Sequence, residues 1–361
     1  MKRGKQFAML AAALLAAGVF VSVPVSTEAF DLGGILETAA KGGMAYQEID
    51  QHLNYYDNTE EGRQEVLEAA KKLKGVADDP YHMEQLGNMI DRLTKAIGET
   101  DPSIYKKPYI YFINNDQSFN ASCTYGHIMQ VNKGLYNYLN NEDEIAVVLG
   151  HEMGHGQKNH VANAMRKKIK TEVGASIISG AINTSALSNL ILNLGVSQLE
   201  TVTIDRGDEK EADSLGFDYA YRAGYNPGAA AAVWQHIIDK VGDNDPNFAQ
   251  EVFAPSDHPS HSDRRDECMK RLVKLSGKHV DIKPGTDTVT VNKKDFVTPA
   301  PVAGMSSAER KYFVVGNLAA AYDHKENEKE AVARDGTVYM GNQAIRSEEH
   351  TSELQSPCNL V

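Results

Sequence analysis

The chain has 361 residues, 42% of them hydrophobic and 24% charged, and a net charge of −12. That length suits one substantial domain with a smaller one beside it, and it buries a core without cross-links. The acidic balance disfavours nucleic acid and anionic lipid surfaces as main partners.

Lys2, Arg3 and Lys5 precede an almost unbroken apolar run from Phe7 to Val23, and Thr27-Glu28-Ala29 closes on a small residue. This is the order of a cleaved export signal over residues 1–29, and the apolar run is at the short end for a membrane span. The mature chain is therefore expected to be periplasmic or secreted, with no stable span after cleavage. No Cys stands near the cleavage region, which argues against a lipid-modified N-terminus. Residues 346–361, opening Arg346-Ser347-Glu348-Glu349-His350, read as an in-frame translation of a sequencing-adapter oligonucleotide and are expected to be a non-native tail. Outside that tail the cysteines are Cys123 and Cys268, which in an oxidising compartment either pair or stand as buried thiols.

Helix-compatible runs cover Glu61 to Lys74 and His82 to Ile97, and Asp101-Pro102 and Pro108 end that texture. Tyr109 to Ile113 reads as a buried strand and His127 to Val131 as a second, giving a small sheet. Asn141, with Glu144 three residues on, caps a helix whose apolar start runs into His151-Glu152-Met153-Gly154-His155. Residues four apart share a helix face, so His151 and His155 converge on one point. Downstream, Glu209-Lys210-Glu211-Ala212-Asp213 repeats that spacing with two carboxylates.

Alone, the first motif can arise by chance in a helix rich in Glu and His, and the second reads as a solvated acidic face among Asp205, Arg206, Asp208 and Asp218. Together they meet the ligand count of a catalytic zinc site. His151, His155 and Glu209 supply three ligands, and the fourth position is left to water. Glu152 is placed to take a proton from that water. Asp213 is placed to orient a ligand histidine through its other ring nitrogen. The extended metzincin pattern is excluded by Lys158 and Val161. His160 is thus expected to be a helix-end or surface histidine without a metal role.

The stretch Val173 to Leu199 is apolar but broken by Gly180, Asn183, Asn189 and Asn193, which suits a packed helical hairpin or a lid better than a span. The Glu209 helix stops at Gly224, and a helix over Ala229 to Val241 carries the only tryptophan, Trp234, as a core residue. Another helix opens near Asp257-His258-Pro259 and reaches Leu275. Past Gly277 the pattern is strand over Thr286 to Val291, helix over Ser306 to Tyr322 and strand over Gly336 to Met340, with no motif that carries chemistry.

The two zinc motifs, Ser118-Phe119-Asn120-Ala121 and the His258-Pro259 element with Arg264 six residues on resemble the gluzincin metallopeptidase family of the CAAX prenyl protease, HtpX and BepA. The resemblance spans about Pro108 to Leu275. It implies a predominantly helical α+β fold, a zincin-like metallopeptidase domain over residues 30–276 with a small sheet beside the active-site helix. A small C-terminal α+β unit over 277–345 follows it. It implies Zn²⁺ on His151, His155 and Glu209, Glu152 as general base, and roles for His258 and Arg264. His258 is either a latch on the fourth zinc position or an oxyanion donor, and Arg264 is a second candidate donor.

If His127 to Val131 lies at a sheet edge, Asn120, His127 and Met129 would hold an extended substrate by strand addition. The expected activity is hydrolysis of unfolded or extended segments of exported or misfolded envelope proteins. The alternative is a periplasmic chaperone or assembly factor with a normally latent metal site.

Overall fold

The computed structural model describes residues 35–139, 141–172, 184–196, 204–242, 260–302, 304–335 and 337–347. The chain divides into two compact units. The expected signal, the first part of the 173–199 stretch, His258 and almost all of the expected tail lie outside the described residues.

The first unit takes in residues up to Leu73, Thr124–Gly126 and Val161–Val202. Its described helices are α1 (Ile35–Asn58), most of α2 (Glu60–Lys74), the body of α6 (His160–Glu172) and α7 (Thr184–Val196). Polar groups pin the short Thr124–Gly126 segment inside it. The Gly126 N–H donates to Asp57 Oδ1 at 2.7 Å, and the Gly126 carbonyl accepts from Arg63 Nε at 2.7 Å. On α6, Arg166 and Lys170, four residues apart on one face, share the Asp50 carboxylate.

The second unit holds everything else. Its α3 (Pro80–Gly98) starts on Asp79, which accepts the His82 N–H, with Pro80 at a position that needs no donor. A three-stranded sheet follows, with β1 (Ile110–Asn114), β2 (Ala121–Thr124) and β3 (Ile128–Asn132) in the order β1-β3-β2. β1 and β3 run parallel, with Ile110 opposite Ile128 and Asn114 opposite Asn132. The segment His127 to Val131 is therefore the central strand and not the edge that strand addition requires. A four-residue strand of small side chains, absent from the sequence reading, lies outside it.

After the short α4 (Lys133–Tyr138) comes α5 (Glu142–Lys158). Asn141 caps α5, accepting the N–H groups of Asp143 and Glu144, and the chain leaves it through Asn159 in the left-handed region at φ 54°. α8 (Arg206–Arg222) packs along α5. α9 (Ala229–Val241) and α10 (His261–Leu275) pack together, and Trp234 is buried as expected. An antiparallel sheet of β4 (Val280–Ile282), β5 (Val289–Val291) and β6 (Lys294–Val297) follows. α11 (Ser307–Asp323) then packs on α9 and α10 and leads to a second antiparallel sheet of β7 (Ala331–Arg334), β8 (Thr337–Met340) and β9 (Gln343–Ser347). The fold is thus a predominantly helical α+β arrangement with small sheets. No helix among the described residues is long and apolar enough to cross a membrane.

Candidate metal centre

α5 and α8 approach closely because glycines face each other where they touch. A Cβ on Gly216 would lie 2.8 Å from the His151 backbone nitrogen and 3.0 Å from its Cα, and one on Gly150 would lie 3.1 Å from the Gly216 oxygen. Gly154 in turn faces Ala212 and Leu215. This proximity sets the second helix motif beside the first.

His151, His155 and Glu209 meet as the helical spacing predicts. Nε2 of His151 and Nε2 of His155 are 3.0 Å apart. Glu209 Oε1 is 3.4 Å from His155 Nε2, and Glu209 Oε2 is 3.6 Å from His151 Nε2. Zinc bonded at about 2.0–2.1 Å in a tetrahedron separates its ligands by roughly 3.3–3.4 Å, so the donor set fits that ion in both spacing and chemistry. All three side chains are buried, and Glu209 is 3% exposed. Burial alone would raise the Glu209 carboxyl. The hydrogen bond from His155 and the charges of His151, His155 and Arg264 outweigh it and hold the group at about 2. His155 is shifted the opposite way, upward despite burial, by the same bond and by the charges of Glu152, Glu209 and Asp213.

Each imidazole has a partner behind it. Nδ1 of His151 lies 3.0 Å from Asp213 Oδ1. Asp213 takes both arms of the Arg264 guanidinium, with Nε donating to Oδ2 at 2.7 Å and Nη2 to Oδ1. Burial opposes the ionised Asp213 carboxylate, but Arg264 and His151 hold it far below the usual carboxylate range. Arg264 is itself packed 3.7 Å over the Trp234 ring and is 4% exposed. Its Nε and Nη2 face the Asp213 and Glu209 carboxylates, so those two donors are not turned to an oxyanion.

Behind His155 the partner is His160. The two Nδ1 atoms are 3.0 Å apart, and His160 Nε2 lies 3.2 Å from Glu211 Oε2, whose other oxygen pairs with Lys158 at 2.8 Å. His160 begins α6, as a helix-end histidine should, but it is buried at 5% exposure and is no surface residue. The left-handed Asn159 turns the chain so that His160 comes back under His155, a placement that no helical period announces.

Glu152 points to the same point as the ligands, with Oε1 4.0 Å from His151 Nε2. Its Oε2 accepts the backbone N–H of Cys123, on the edge strand β2, at 3.0 Å. Burial lifts its carboxyl above the ordinary range, with Glu209 adding to the rise and the imidazole charges and the Cys123 amide opposing it. Cys123 and Cys268 are both buried free thiols.

The three residues named for substrate by strand addition are all buried. Met129 is fully enclosed on the central strand. His127 is held at φ 54°, with its ring nitrogens 2.7 Å and 3.2 Å from the carbonyls of Lys107 and Gly156, and it stacks on Tyr109. Asn120, just before β2, keeps a buried side-chain oxygen with no hydrogen-bond partner among the described residues.

A mostly helical domain with a short sheet beside two helices that bring two histidines, a glutamate and an adjacent acid to one point defines a zincin-like metallopeptidase. The profile of peptidase family M48 matches residues 80–272, and the chain belongs to that family. A β-barrel assembly-enhancing protease of Yersinia pestis is 29% identical over 169 residues, 45% of this chain and 34% of that protein. Its counterpart in Escherichia coli K12 is 23% identical over 181 residues, 47% of this chain and 36% of that protein. The chain thus spans about a third of the length of these relatives. Metalloprotease LoiP of E. coli K12 is 23% identical over 266 residues, 72% of this chain and 96% of LoiP.

Proposed function

We propose that the chain is an exported zinc endopeptidase hydrolysing peptide bonds in unfolded or extended segments of envelope proteins. The observation that carries this reading is the convergence of His151, His155 and Glu209 within 3.6 Å, with the Glu152 carboxylate beside them. Two relatives are named for enhancing β-barrel assembly, which supports envelope proteins as the substrate class.

Zinc held by His151, His155 and Glu209 supplies Lewis acidity at the scissile carbonyl. The Cys123 amide fixes one oxygen of Glu152, and the other takes the proton of the attacking water and passes it to the leaving amine. The raised carboxyl of Glu152 suits a group that must accept and then return a proton. Asp213 orients His151, and Arg264 acts through Asp213 as a positioning residue. An extended substrate is offered the outer edge of β2, next to Asn120, in place of the central strand.

A second reading, a chaperone or assembly factor with a normally latent site, is favoured by burial. His151, Glu152, His155 and Glu209 are each at most 5% exposed. His258 is proposed either to occupy the fourth metal position as a latch or, in the peptidase reading, to leave it and donate to the oxyanion.

The deciding experiment compares zinc-loaded protein and its Glu152→Gln variant on unfolded model proteins, with new termini identified by mass spectrometry. Cleavage by the unmodified protein alone, at equal zinc content, is expected. Equal cleavage by both removes Glu152 as the base, and cleavage by neither, even after His258→Ala, favours the binding protein.

A further inference from the structure

Away from the first site but in the same unit, α5, α9 and α11 each bury one metal-ligating side chain at a common point. Glu144, His236 and Glu309 each offer one ligand atom, and these atoms lie within 4.8 Å of one another. Glu144 and Glu309 are 1% exposed and His236 is 7% exposed. One contact joins them, between His236 Nδ1 and Glu309 Oε2 at 3.1 Å. Glu144 Oε1, His236 Nε2 and Glu309 Oε1 have no hydrogen-bond partner among the described residues. Among the described residues no Lys or Arg pairs with either carboxylate. Arg92, the basic side chain near this end of α5, goes to Glu142.

Local structure makes the arrangement more pointed. Ser306 caps α11 by accepting the Glu309 N–H at 3.0 Å, the first half of a capping box. In the second half the glutamate turns back to the cap residue's own N–H. Here Glu309 turns to His236 instead. Glu144 also stands three residues after a cap, Asn141, and it too is turned inward. Two helix-start carboxylates that ordinarily face solvent are thus turned into the interior.

Burying two carboxylates without compensation costs several kcal/mol for each ion. A proton on one of them, or on His236, removes one charge but leaves at least one orphan atom without a partner. A divalent cation neutralises both carboxylates and engages all three residues at once. Two carboxylate oxygens and an imidazole form a donor set that suits zinc, manganese or iron(II) better than calcium or magnesium, which take oxygen alone.

We propose that Glu144, His236 and Glu309 form a second metal site, structural in role, for a divalent first-row transition cation. The site ties the C-terminal helix α11 to the start of α5. Glu144 lies two turns before His151 on that helix, about 10 Å along its axis, so the ion braces the base of the helix that carries the first site.

The test is metal stoichiometry on the full chain, stripped with chelator, reloaded with Zn²⁺ or separately Mn²⁺, freed of excess and analysed by mass spectrometry. Two ions per chain are expected for the unmodified protein and one for a His151→Ala/His155→Ala variant, with that ion lost when Glu309→Gln is added. Gln keeps the size of the side chain, and circular dichroism reports whether each variant is folded. The melting temperature of the His151→Ala/His155→Ala variant should rise with added Zn²⁺, and the rise should vanish with Glu309→Gln. One ion in the unmodified protein that survives Glu309→Gln overturns the proposal without relying on the multiple variants. So does a folded His151→Ala/His155→Ala protein that binds none. Loss of the other ion, at His151 and His155, bears on the peptidase reading alone, so the two fail separately.

Discussion

Replacing Gly216 by Ala adds one methyl group at the closest approach of α5 and α8. That carbon would stand 2.8 Å from the His151 nitrogen, 3.0 Å from its Cα and 3.2 Å from its Cβ. Favourable carbon contacts lie at about 3.5–4.0 Å, so the helices must part by several tenths of an ångström. His151 is on one side of the contact and Glu209 and Asp213 are on the other. Separation therefore stretches the 3.6 Å and 3.0 Å spacings that define the site. Overpacking of this kind costs about 1–3 kcal/mol. Helix propensity returns about 1 kcal/mol when Gly becomes Ala. The expected net loss is about 0–2 kcal/mol in urea denaturation of the metal-free protein. Zinc affinity, read by competition with a chromophoric chelator, should fall about 10-fold or more, as when a supporting partner is disturbed. A variant that gains stability and keeps its zinc affinity would show that the glycine contact does not set the ligand spacing.

Asp213→Asn should weaken zinc binding by about 10–100-fold in the same competition assay, because the charge that orients His151 is gone while the volume is kept. His160→Ala removes the partner of His155 Nδ1, and a loss toward the lower end of about 10–100-fold is expected in zinc affinity with no change in secondary structure. Asp79→Ala removes the cap of α3 and should cost about 1 kcal/mol in urea denaturation at neutral pH. The Asp79 carboxyl is lowered chiefly by its hydrogen bond with His82. Its contribution is therefore complete above the unfolded carboxylate value, near 3.9, and fades as pH falls toward the folded one, so the two proteins should converge in acid.

What the sequence disclosed followed from periodicity. Residues four apart fixed the His151–His155 and Glu209–Asp213 faces, and Asn141 marked the start of α5 because its side chain has N–H groups to satisfy. β2 was hidden because Ala-Ser-Cys-Thr neither alternates nor carries the bulky residues that mark strands. Without β2, the segment from His127 to Val131 looked like an edge, and the backbone of what is the central strand was offered to substrate. Glu309 was hidden differently. After Ser306 it has the spacing of an ordinary capping box, and only the position of His236, 73 residues away, shows that its carboxylate is used elsewhere. Contacts made across such separations leave no local period to read.

The supports behind the two imidazoles differ in a way that bears on how the site responds to its surroundings. His151 rests on Asp213, and Asp213 on a guanidinium that is itself 4% exposed and stacked on Trp234. Charges buried in this way are little screened by salt, and breaking the pair by removing one partner leaves an uncompensated ion in the interior. His155 rests on His160, and His160 on Glu211, which shares its carboxylate with Lys158 where both side chains are close to half exposed. That second chain ends in solvent, where an ion pair is worth little and salt weakens it further. The two ligands are thus unequal in their anchoring, one locked from the core and one steadied from the surface. The helix spacing that brings them together shows none of this difference, because it arises from what stands behind each ring.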